Sequence, residues 1–332
     1  MHADPDILLD QALERLATTG PEYAGGLSNH APMVAEALHH LGHADLIAGW
    51  IDDYVERLEP RPSARGQPPM LARLDSWADW QQLFERELDT KDWREVVARW
   101  VPHLAPGLFA GATHGLLRTA HALRMLRTLD NRLRRGELAS ALGYWAAAYQ
   151  TLPGDVRPRG TRKTAEVLAA LPAIPHEGWL ITEAIRGLDR VPELASLLAQ
   201  LDPHELELER LLAAISPWTA AGAGVSAIVH VHVLTSTVAL LEFEALLERD
   251  AFGHVLAHAW HAAAALIGTW RPNEPQRLPA TPVDRTLLIT RALQSRDEHA
   301  IKLVDACLTG FDRFGDVGVL HAANALLSAI SA

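Results

Sequence analysis

Several of the 17 histidines in this 332-residue chain fall at helical spacing with other polar side chains. His114, Arg118 and His121 recur at i, i+4 and i+7, which on a helix puts all three on one face, and His299 and Lys302 stand one turn apart. Neutral imidazole is the commonest protein ligand for intermediate divalent metals, and it also exchanges protons near neutral pH. Each group could therefore hold a metal or move a proton. His230 and His232 are two apart, so at most one of them can reach a given site. A single helical histidine is more often a hydrogen-bonded core or surface residue than a ligand, so spacing alone leaves both readings open.

Other constellations compete. His254, His258 and His261 repeat the i, i+4, i+7 pattern and could form a metal face; with no carboxylate in residues 252–270 they are read as a polar stripe. His39, His40 and His43 cluster at a helix end beside Gly42, where histidines cap carbonyls, and are read as structural. Gly222-Ala-Gly224-Val-Ser-Ala227 mimics the dinucleotide fingerprint, but that motif must follow a strand, whereas Leu211 to Trp218 reads as helix and turn. The sequence contains no Walker loop, HExxH pair, nucleophile elbow or CxxC, so phosphoryl transfer, zincin proteolysis and elbow-type hydrolysis have no support.

The elements that must position these residues read as helices. Apolar residues recur with a 3.6-residue period, as in Leu116, Leu117, Ala120, Leu123 and Leu126, and alternating β-branched runs are nearly absent. Proline and glycine separate the helices at Gly25-Gly26, Pro153-Gly154, Pro158, Pro172, Pro192, Pro203 and Pro217, and only Glu59 to Met70 and Arg271 to Asp284 read as long loops. The expectation is one all-α domain over residues 1–332, with a buried central helix in the stretch between Arg210 and Glu242 that carries no charge. That stretch holds His230, His232, Thr235, Ser236 and Thr237, a polar load suited to a protein core and costly in lipid, so no membrane partner is expected. Acidic residues outnumber basic ones 41 to 30 for a net charge of −11, which disfavours nucleic acid. Cys307 is the only cysteine and the N-terminal segment lacks a signal-like basic and apolar run, so the expected location is the cytoplasm. Ten tryptophans read as core filler, some able to line a pocket for a flat aromatic ligand.

Five local strings add a further reading: Ser28-Asn29-His30-Ala31-Pro32-Met33 followed by an apolar helix, the Trp50 and Tyr54 pair, Thr113-His114-Gly115-Leu116-Leu117-Arg118, His232-Val233-Leu234-Thr235, and Asp297-Glu298-His299-Ala300-Ile301-Lys302. Together they resemble the questin oxidase-like family over Gly25 to Ala306; its members include fungal enzymes that open anthraquinone rings. The resemblance implies a helical fold around a non-haem Fe2+ held by four histidines and a carboxylated lysine, here His30, His114, His232, His299 and Lys302, the last as a carbamate formed with carbon dioxide. It implies an oxygenase that performs a Baeyer-Villiger-like cleavage of an aromatic or quinone-type polyketide with dioxygen, and NADPH as electron source. Arg118 would then steady an anionic phenolate or enolate, and His121 would act as a general base. Two alternatives stand beside this: a metal-free helical protein that binds a hydrophobic small molecule, and a zinc hydrolase using the carbamylated lysine.

Overall fold

A computed structural model describes residues 4–178 and 180–330; residues 1–3 of the N-terminal segment read for an export signal lie outside the described residues. The fold is all-α, with one short antiparallel hairpin pairing Glu22–Tyr23 with Leu27–Ser28. Chain contacts gather into two compact units. The first runs to Thr151 and takes in Glu242–Leu247; the second comprises Leu152–Leu241 and the chain from Glu248 onward.

In the first unit the helix Arg132–Ala147 is the axis on which Trp77–Thr90 and His114–Thr128 pack. Small residues set the approach. A Cβ on Gly115 would lie 2.7 Å from the Cα of Trp145, and one on Gly143 would lie 3.1 Å from the backbone nitrogen of Gln81, so both helix pairs meet nearly backbone to backbone. Asn131 caps the axis helix by accepting from the Arg134 N–H. The wholly buried Arg134 then donates to Asp6, Asp10 and the Met125 carbonyl, which ties the N-terminal helix Pro5–Leu16 to the rest.

In the second unit the helix Val225–Ala239 is central and is buried at Ala227 and from Val229 to Ala239, as its lack of charge predicts. Its polar residues are satisfied inside the helix: Thr235 donates to the Val231 carbonyl, and Ser236 and Thr237 donate to that of Val233. The stretch Val225–Glu244 is long and apolar enough to cross a membrane, and most of it is buried within the protein. Glu298–Phe314 packs on Val225–Ala239, with Gly310 admitting Leu212 and Val238 to within 3.1 and 3.3 Å of where its Cβ would be.

The expected loops at Glu59 to Met70 and Arg271 to Asp284 are present. Two departures have physical reasons. The hairpin was not legible because its strands are two residues each, too short to show alternation. Pro217, read as a helix breaker, instead lies inside Leu208–Thr219, in the last turn, where the helix is already ending.

Candidate metal centre

The hairpin delivers His30. Ala24, Gly25 and Gly26 all take positive φ at its tip, which explains the paired glycines. Asn29 then fixes the entry to the helix Ala31–His40: its Oδ1 accepts from the Ala31 N–H at 3.0 Å, and its Nδ2 donates to the Gly20 carbonyl at 3.0 Å. The His30 N–H donates to the Tyr54 hydroxyl at 3.4 Å, Tyr54 donates on to Tyr23, and Trp50 stacks on the Tyr54 ring with centroids 4.6 Å apart. The Trp50 and Tyr54 pair thus stands behind His30.

His114 enters from a strained turn. Gly111, Ala112 and Thr113 have φ of +53°, +56° and +72°, and for the two non-glycines this conformation costs about 1–2 kcal/mol each. Gly111 has no alternative there, since a Cβ would fall 2.3 Å from the Tyr144 hydroxyl. That hydroxyl donates to Glu22 and accepts from Ser28, both at 2.8 Å, so the hairpin and the turn share one buried network. Burial raises the Glu22 carboxyl above its usual range.

The turn brings the Gly111 carbonyl to 2.5 Å from Nδ1 of His114. A carbonyl only accepts, so Nδ1 carries the proton and the neutral ring keeps its lone pair on Nε2. That nitrogen faces Nε2 of His30 at 2.6 Å, with the rings stacked at 4.6 Å and 21°. Two imidazole nitrogens each about 2.1 Å from one ion at right angles lie about 3 Å apart, so small ring rotations would seat a shared cation. His30 and His114 are 5% exposed.

Further along the same helix face, Arg118 and His121 are also buried. Arg118 grips Glu137 with Nε at 2.5 Å and Nη2 at 2.9 Å, so its charge is already cancelled. Its buried Nη1 makes no hydrogen bond among the described residues, leaving a donor that a ligand oxygen could use. His121 gives its Nδ1 proton to Glu36 at 2.6 Å, and Arg124 holds the same carboxylate. The lone pair of His121 is therefore on Nε2, in the arrangement of a base oriented by a carboxylate.

In the second unit, Asp297 caps Glu298–Phe314 by accepting from the His299 and Ala300 N–H groups. One turn into the helix, Lys302 is 3% exposed, and burial pulls its pKa down to about 8 against the opposing charges of Glu298 and Asp297. His232 lies beside both: its ring meets that of His299 edge to face at 5.7 Å, and burial, then the Lys302 charge, pulls its pKa down to about 3. Neighbouring His230 points elsewhere, with Nδ1 donating to the Ser226 carbonyl and its ring against Gly222. The glycine segment Gly222 to Gly224 joins two helices and makes room for that ring, with helix rather than strand before it.

The structure therefore brings His30 to His114 in one unit and gathers His232, His299 and Lys302 in the other. The donor set suits an intermediate divalent metal: imidazoles, with the lone pair of His114 on Nε2, and an amine whose pKa is drawn down to about 8. Sequence reasoning missed Glu36 and Glu137. Glu36 left a signal, as the one charged residue in the apolar run Ala31 to Leu38; Glu137, in a charged surface-like stretch, left none. Compared with known proteins, the chain matches no family and no curated sequence.

Proposed function

We propose that this protein is a non-haem iron oxygenase in which His30, His114, His232, His299 and Lys302, the last as a carbamate, bind one Fe2+. The observation that carries the reading is the His30 and His114 pair, whose Nε2 atoms face each other at 2.6 Å with the His114 tautomer set by the Gly111 carbonyl. The second set supports it, because burial of Lys302 draws its pKa down to about 8, which favours the neutral amine that a carbamate requires. Iron, when bound, supplies the redox chemistry that dioxygen needs.

The substrate class is a flat aromatic or quinone-type polyketide, cleaved in a Baeyer-Villiger-like reaction that inserts oxygen beside a carbonyl. One oxygen atom enters the product and the other leaves as water, with NADPH as the two-electron source. Arg118 offers a hydrogen bond from Nη1 to a substrate oxygen, but little net charge, because Glu137 neutralises it. His121 takes a substrate proton on Nε2 while Glu36 stabilises the imidazolium. A cytoplasmic setting fits the ferrous state and the buried free thiol of Cys307. The test is elemental analysis of anaerobically purified protein together with turnover of anthraquinones under dioxygen. Iron at one equivalent per chain supports the reading; zinc with hydrolytic turnover, or a metal-free protein, would replace it.

A further inference from the structure

The helix Arg249–Thr269 carries three histidines that no part of the iron reading uses. His254 is exposed, His258 half-buried and His261 buried, so the stripe steps from solvent into the core of its unit over seven residues. Both ring nitrogens of His261 are buried without a hydrogen-bond partner among the described residues. Burying both without a partner costs free energy that an apolar side chain would not. His254 and His258 meet each other, with ring centroids 4.7 Å apart and planes at 83°. Neither ring is hydrogen-bonded or ion-paired to the protein among the described residues.

The centroid distance is informative. A ring nitrogen bound at about 2.1 Å puts its ring centroid about 3.2 Å from the ion, and two such rings at 90° to 110° have centroids about 4.5 to 5.2 Å apart. The observed 4.7 Å falls inside that range without any change of backbone. The i, i+4 spacing is the one by which two histidines on a helix chelate zinc. We infer that His254 and His258 form a second, surface site for a transition-metal ion of the zinc, nickel and copper class, separate from the five proposed iron ligands. All-nitrogen, uncharged donors select such ions over calcium or magnesium. Burial, helped by the charges of its two histidine neighbours, draws the His258 pKa down to about 4, which leaves its lone pair free at neutral pH.

The experiment is calorimetric titration of the protein as purified with Zn2+, repeated with Mg2+, on wild type, His254→Ala, His258→Gln and His232→Ala. The expected result is a Zn2+ event that Mg2+ does not reproduce, weakened roughly tenfold or more in both His254→Ala and His258→Gln. The same event persists in His232→Ala. His254 is on the surface, so its replacement should leave the fold intact, and far-UV circular dichroism checks this for each variant. No Zn2+ event in wild type, an event that Mg2+ reproduces, or one unchanged in both stripe variants overturns the inference. Loss of the event in His232→Ala alone would assign the zinc to the proposed iron ligands instead, and iron content is read separately in the same samples.

Discussion

At the scale of single residues, Lys302 is the most informative position. Its helix spacing from His299 was visible in the sequence, but its burial was not, because periodicity cannot say whether a lysine at a helix face meets water or another helix. The depressed pKa has a definite sign. Below about pH 8 the lysine is charged both folded and unfolded, and the fold bears the cost of a buried ammonium; between about 8 and its ordinary 10.5 the folded protein loses the proton first and gains stability as pH rises. In iron-free, carbon-dioxide-free buffer, Lys302→Met should therefore raise the unfolding free energy at pH 7 by about 2–3 kcal/mol, measured by urea denaturation. The gain should fade towards pH 10.5. Lys302→Ala should lose oxygenase activity that bicarbonate cannot restore, while small carboxylic acids return part of it by filling the vacated ligand position. Restoration by bicarbonate would remove the carbamate from the account.

At the scale of elements, the helix His114–Thr128 shows how packing places His114. Gly115 sits against the Trp145 backbone, so Gly115→Ala forces that helix away from Arg132–Ala147 and carries His114 with it. The expected cost is about 1–3 kcal/mol of stability with a fall in iron affinity. Gly136→Ala, where nothing lies within 4 Å of the added Cβ, should stabilise by up to about 1 kcal/mol and leave iron unchanged. Equal effects at both positions, read by thermal unfolding and metal content, would contradict the packing argument. The helices themselves were legible, since runs such as Leu116, Leu117, Ala120 and Leu123 declare a 3.6-residue period over several turns. The left-handed turn before His114 was not. Ala112 and Thr113 take positive φ next to Gly111, which packs against a Tyr144 hydroxyl bonded to Ser28 and Glu22, residues far away in the chain.

At the scale of the whole molecule, buried histidines make the protein sensitive to acid. His230 and His261 have pKa values drawn down to about 4 by burial, against an ordinary 6.5, so in the unfolded chain they take up protons that the folded chain refuses. Stability is full above about pH 6.5 and is lost as pH falls towards 4, by about 2–3 kcal/mol for each histidine. His261→Leu should flatten that slope in pH-dependent unfolding; an unchanged slope would show that His261 is hydrated or paired in solution. Periodicity made the all-α class readable and the lack of charge the buried helix, whereas the division into two units was missed although Pro153-Gly154 and Pro158 lie in the irregular stretch 148–163 where it falls. Both His114 and His232 are proposed to bind iron. Iron content of anaerobically purified wild type, His114→Ala and His232→Ala, each checked for retained helicity, decides this. One iron per wild-type chain and nearly none in either variant is expected, and full iron content in a variant would exclude the replaced histidine as a ligand.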